Sequence, residues 1–230
     1  MTTEVTYHTG GTSKPLEMTY VNPERQRNND DLAALMPDSG LNAPFVADLM
    51  SDFVTHERCG LHLYRSVAGR TNNPVLKARY QQFGAETEEH IRILEALITA
   101  LGGDPQYVSP SARAAEKANS GALQATFLLG GSIDIMTQEM VMLDAVVVAE
   151  TRDHANWSFL SRLVEEVPEG QAREALQAAV AQVEDQEDEH LRWAQETRTK
   201  MMLLQAKSAT MATAGAKAEE MLAKVKDLLS

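Results

Sequence analysis

The sequence predicts an all-α fold, an antiparallel four-helix bundle with one long crossover. Three observations carry that expectation. Four long segments place apolar residues at steps of three and four, the period of one helix face. Strong turn signals separate them, and the middle connection is far longer than the other two. Strand-like alternation of useful length is missing, with Val146-Val147-Val148 the main β-branched cluster.

Taken in order, residues 1–40 are polar and punctuated by Gly10-Gly11, Pro15, Pro23, Asn28-Asn29 and Pro37, which reads as an irregular N-terminal arm. Asn42-Ala43-Pro44 starts the first helix, because proline suits a first turn. Its pattern runs to Gly69. Thr71-Asn72-Asn73-Pro74 is a short turn with a second start signal, and the second helix ends at Gly102-Gly103-Asp104-Pro105. The connection from about 104 to 131 is expected to hold a helix opening at Ser109-Pro110. The third long helix spans Ser132 to about Val167. Pro168-Glu169-Gly170 turns the chain into the fourth, from Gln171 to about Ala206. Residues 41–206 thus form one bundle domain, and 207–230, rich in Ala, Lys and Met, form a C-terminal tail with helical character.

Composition excludes several function classes. Against 33 Asp+Glu stand 21 Lys+Arg, a formal charge of −12, so no nucleic-acid partner and no anionic membrane is expected, whereas cations are. Cys59 stands alone, so no internal disulfide can form. The N-terminus lacks the basic-then-apolar pattern of a secretory signal, and the apolar run Met140 to Ala149 is broken by Asp144 and far short of the roughly 20 residues of a membrane span. The expectation is a soluble cytoplasmic protein, compatible with a homo-oligomer. No Gly-rich phosphate loop follows a strand.

The chemistry lies where the apolar stripes break. The first helix reads Val46, Met50, Phe53, Glu57, Gly60, Tyr64, Val67, and the second Phe83, Glu86, His90, Ile93, Leu97. The third reads Met136, Met140, Leu143, Val147, Glu150, His154, Trp157, and the fourth Leu176, Val180, Val183, Glu187, His190, Ala194. Each stripe is interrupted near its middle by a carboxylate, and in three of them a histidine follows on the same face. Glu57 and Glu86 lie at similar distances from the turn at Asn72, as do Glu150 and Glu187 from Pro168, so each hairpin brings its pair level. Buried carboxylates cost several kcal/mol each when unpaired. Two divalent cations would balance the four, with His90 and His190 as nitrogen ligands, a donor set that suits iron or manganese.

This pattern resembles the ferritin-like di-metal carboxylate superfamily, with rubrerythrin-like and bacterioferritin-like members. That family carries one Glu on each of two helices and Glu-x-x-His on each of the other two. Glu187-Asp188-Glu189-His190 matches the second motif. Glu86-Thr87-Glu88-Glu89-His90 departs from it, the acid standing four residues before the histidine and Thr87 at the expected acid position. Glu57 and Glu150 resemble the single acids, with Glu139 and His154 as competitors.

The resemblance implies a metal set of Glu57, Glu86, His90, Glu150, Glu187 and His190 holding two divalent ions, iron first and manganese second. It places His154, Tyr64 and Glu139 beside them as hydrogen-bonding neighbours or alternative ligands. The implied function is oxidoreductase or ferroxidase chemistry with O2 or H2O2, and no separate general base is assigned. A manganese-catalase-like dismutation of peroxide is the second reading. A metal-free helical bundle serving stress response or assembly is the third. His56 and His62 read as surface residues, and Cys59 as a small helix residue.

Overall fold

In the computed structural model the described residues are 40–128 and 135–207, all helix, turn or loop with no strand among them. The helices are α1 (Ala43–Arg70), α2 (Pro74–Ala100), α3 (Pro110–Ala125), α4 (Ile135–Glu166) and α5 (Gln171–Lys207). The all-α expectation holds, and the boundaries fall within a few residues of the sequence signals. Residues 1–39, 129–134 and 208–230 lie outside the described residues, and with them the N-terminal arm, the Gly130-Gly131 stop and most of the C-terminal tail.

The local chemistry explains the boundaries. Asn73 caps α2, its side-chain oxygen accepting from the amides of Val75 and Leu76 at 2.9 and 3.3 Å. Ser109 caps α3 by accepting from the amide of Ala112 at 3.0 Å, with Pro110 in the first turn. The end of α2 closes in a Schellman arrangement. The Gly103 amide donates to Ile98 O at 2.8 Å and the Gly102 amide to Thr99 O at 3.0 Å. Gly102 takes the positive φ of 84° that this closure needs and that side chains resist.

Helix α1 packs along α2, and α4 along α5; α1 also faces α4, and α2 faces α5. Bonds fix the directions. Thr71 at the end of α1 meets Glu139 near the start of α4, whereas Asp52 early in α1 meets Arg152 further along α4. The two helices are therefore antiparallel. Helix α3 lies against α1 and runs the same way: Ser111 bonds to Asp48, Asn119 to His56, and the segment ends where Arg70 reaches Thr126. It runs alongside α1 from near Asp48 to near Arg70.

The core comes in two pieces. One apolar cluster gathers Met50, Phe53, Leu94, Leu97, Trp157, Leu160, Leu176 and Val183. The other gathers Tyr64, Val67, Tyr80, Phe83, Leu143, Val146, Ala194 and Met201. On every long helix the two clusters are parted at the same place: by Glu57 on α1, His90 on α2, Glu150 and Asp153 on α4, and Glu187 and His190 on α5, each 5% exposed or less. Each large apolar side chain sequestered on either side contributes about 1.5–3 kcal/mol. That burial offsets the cost of enclosing the polar layer.

Candidate metal centre

The layer between the clusters is built one helix at a time. On α5, Glu187 and His190 are one turn apart and share a face. On α2, His90 is fully buried with Thr87, 2% exposed, one turn before it. Glu57 of α1 and Glu150 of α4 face them from the opposite side.

Two groups of ligand-type atoms result. Glu57, His90 and Glu187 bring an oxygen or nitrogen each within 4.8 Å of the others, and so do Glu150, Glu187 and His190. Glu187 belongs to both. His90 Nδ1 stands 2.8 Å from Glu187 Oε1 and 3.7 Å from Glu57 Oε1. His190 Nδ1 stands 3.4 Å from Glu150 Oε2 and 3.7 Å from Glu187 Oε1. None of these approaches has the alignment of a hydrogen bond. Nine buried side-chain atoms among the described residues lack a hydrogen-bond partner. Seven of them belong to this layer: Glu57 Oε2, His90 Nδ1, Glu150 Oε2, Asp153 Oδ1, both Glu187 oxygens and His190 Nδ1. Buried polar atoms are ordinarily satisfied, so a convergent set of orphans marks a place for a missing partner.

The other polar atoms of His90, His190, Glu150 and Glu57 are held. His90 Nε2 donates to Gln186 Oε1 at 2.8 Å, and His190 Nε2 donates to Glu86 Oε2 at 2.7 Å. In the neutral rings these bonds put the proton on Nε2, so that the Nδ1 lone pairs face inward. The Tyr64 hydroxyl donates to Glu150 Oε1 at 2.7 Å, and the Trp157 indole to Glu57 Oε1 at 2.8 Å. These bonds pair the two hairpins reciprocally. Tyr64 follows Glu57 by seven residues and holds the acid of α4; Trp157 follows Glu150 by seven and holds the acid of α1.

Electrostatics agree with a site that is incomplete as a set of free side chains. Burial, then the neighbouring Asp153 and Glu187, raise the Glu57 carboxyl well above its ordinary range. Burial, then Glu187 and Glu150, do the same to Asp153. Burial and Glu150 push Glu187 up to about 8. For His190, burial works downward but is outweighed by Glu150, Glu187 and Glu86, which bring it up to about 9. The Tyr64 hydroxyl is raised by burial and by Glu150, so it stays a proton donor.

Four sequence expectations need correction. Glu86 does not reach the layer: it is partly exposed, takes a bond from Gln82, and supports the far nitrogen of His190. The reason is angular. Relative to a histidine, the residue three before it and the residue four before it lie on opposite flanks of one face. On α2 the inward flank belongs to Thr87, as on α5 it belongs to Glu187. His154 also points away, its Nδ1 3.1 Å from the exposed Asp188. The α4 stripe passes instead through Glu139, Val146, Glu150, Asp153 and Trp157, so the buried residue one turn beyond Glu150 is Asp153, not His154. Glu139 is buried far from the layer, where it accepts from Thr71 Oγ1 and the Asn72 amide at 2.8 Å and ties the α1–α2 turn. Finally, His56 is buried, bonded to Ala149 O at 3.0 Å and to Asn119 at 3.1 Å, while His62 is exposed as expected.

Comparison with protein-family models, with curated proteins and with solved structures finds no match to this chain. No helix among the described residues is long and apolar enough to cross a membrane.

Proposed function

We propose that the chain is a ferritin-like protein: α1, α2, α4 and α5 form an antiparallel four-helix bundle, α3 is its crossover, and the polar layer binds two divalent metal ions. The observation that supports this best is the set of orphaned Glu and His atoms converging between two apolar clusters. Glu57, His90, Glu150, Glu187 and His190 would hold the ions, Glu187 serving both groups. A carboxylate and imidazole set of this kind suits iron first and manganese second. Bound iron would supply electron transfer toward O2 or H2O2, giving oxidoreductase or ferroxidase activity.

The chain's own part is positioning and exclusion. Gln186 and Glu86 hold the two imidazoles by Nε2, so that Nδ1 is the atom each ring would offer to an ion. Tyr64 and Trp157 fix one oxygen of Glu150 and one of Glu57, leaving the other free. The aromatic wall of Phe83, whose ring centroid lies 4.0 Å from that of His190, keeps bulk water from that side.

Metal analysis of protein grown in iron-rich and in manganese-rich media tests the reading. About two ions per chain are expected, iron preferred. Less than about one per chain in both media would overturn it in favour of a metal-free helical bundle. Oxygen evolution from peroxide by the manganese-loaded form would assign catalase-like dismutation instead.

A further inference from the structure

The two groups that share Glu187 have the same make-up, two carboxylates and one imidazole each. By themselves they describe two equal positions. Asp153 breaks the equality. It stands one turn after Glu150 on the inward face of α4, is 5% exposed, and keeps Oδ1 without a hydrogen-bond partner. Its neighbour Arg152 does not neutralise it, because that guanidinium is bound to both oxygens of Asp52 at 2.8 and 2.7 Å. The α1–α2 hairpin has no counterpart. At the same spacing after Glu57 stands Gly60, where an added side chain would meet Thr87 Cγ2 at 3.9 Å.

The acids inside the layer are therefore uneven. Glu57 and Glu187 group with His90, and Glu150 and Glu187 with His190; Asp153 follows Glu150 on the buried face of α4 in the direction of Trp157, whose indole reaches Glu57, which sets it toward the Glu57 side. The outer partners lean the other way, since His90 is held by the neutral Gln186 and His190 by the charged Glu86. A carboxylate inside a dry layer acts on a cation at short range with little screening; one beyond an imidazole acts through the ring and from further off. The inner difference decides.

We propose that Asp153 makes the two metal positions unequal: the position beside Glu57, His90 and Glu187 takes a divalent cation first and more tightly, and the position beside Glu150, Glu187 and His190 fills second. This rests on the dinuclear reading above and deepens it with an order of filling.

The test is titration of the metal-free full chain with Mn2+, followed by calorimetry and by electron paramagnetic resonance. Wild type should show two steps separated by about tenfold or more in affinity, the scale on which neighbouring carboxylates tune metal binding. The first equivalent should give the signal of isolated Mn2+, and coupling between ions should appear with the second. Asp153→Asn keeps the side-chain shape and should weaken the first step by about tenfold while the second persists. Glu86→Gln should weaken the second step and leave the first within about twofold. Merged steps in wild type, or either variant weakening both steps alike with helical content intact, would overturn the inference. No Mn2+ uptake by wild type would overturn the dinuclear reading itself, a distinct result.

Discussion

Tyr64 donates its hydroxyl proton to Glu150 Oε1 at 2.7 Å, from one hairpin to the other across the middle of the core. The contact joins an apolar cluster to the polar layer, since the Tyr64 ring packs with Tyr80 and Phe83 while its oxygen faces the acid. Tyr64→Phe removes only that oxygen and leaves Glu150 Oε1 buried without its donor. We expect a loss of about 1–3 kcal/mol in the metal-free protein by urea unfolding. In metal titrations the affinity of the position beside Glu150 should fall by about 10–100-fold. An unchanged unfolding midpoint would show that the bond contributes nothing.

Glu187 is the carboxylate common to both groups, so its removal should abolish both positions at once. The stability effect should have the opposite sign. In the metal-free state Glu187 is a buried acid pressed by Glu150, and an amide there carries no charge to desolvate. Glu187→Gln should raise the metal-free thermal midpoint by a few degrees, because 1 kcal/mol moves the midpoint about 2–4 °C in a chain of this length. It should also bring metal content close to zero. A variant that still binds a full pair of ions contradicts the shared role.

The metal-free protein should lose stability as pH rises. The carboxyls of Glu57, Asp153 and Glu187 are raised in the fold, Glu187 from 4.5 to about 8, so the folded chain retains protons that the unfolded chain releases. His190, raised from 6.5 to about 9, stabilises the fold below the unfolded value, and that contribution is lost through its folded value. Both effects run downward with pH. His56 acts oppositely, because burial lowers it and its protonation in the unfolded chain costs stability below 6.5. The clean window therefore runs from 6.5 to about 9. Metal-free thermal midpoints should fall across it. The gain on adding Mn2+ should widen, because ligands must shed protons to bind. A metal-free midpoint that climbs across that window would count against this account of the layer.

Two residues serve as controls. Glu139→Gln should cost about 1–2 kcal/mol by weakening its bonds to Thr71 and Asn72, with no change in metal content. His154→Ala should stay within about 0.5 kcal/mol, as expected of a surface substitution, and also leave metal content alone. Metal loss in either variant would reopen its candidacy as a ligand.

Much of this was legible in the sequence. Asn73, Ser109 and the Gly102-Gly103 pair act through chemistry local to a few residues, so the helix ends could be read directly. Glu57, Glu150, Glu187, His90 and His190 stood out because a charge in an apolar stripe contradicts its surroundings. Glu86 and Asp153 were harder for one shared reason. Steps of three and of four both stay on a helix face, and only the facing helices decide which flank is interior. The clue was nonetheless present. In Glu187-x-x-His190 the acid sits three before the histidine, and the same step back from His90 reaches Thr87, not Glu86. On α4 the step of four led from Glu150 to His154, when the step of three leads to Asp153. Which side of α1 would receive α3 depends on contacts far apart in sequence, such as Asn119 with His56, and no local pattern encodes it.

The divided core has a mechanical consequence. Each apolar cluster is cemented by its own packing, whereas the layer between them is joined only by a few hydrogen bonds, such as those of Tyr64 and Trp157. Loading would act as a rivet through that layer, turning two loosely coupled blocks into one cooperative unit. Amide exchange at the mid-helix turns around Glu57, His90, Glu150 and Glu187 should slow far more on loading than exchange at either end of the rod.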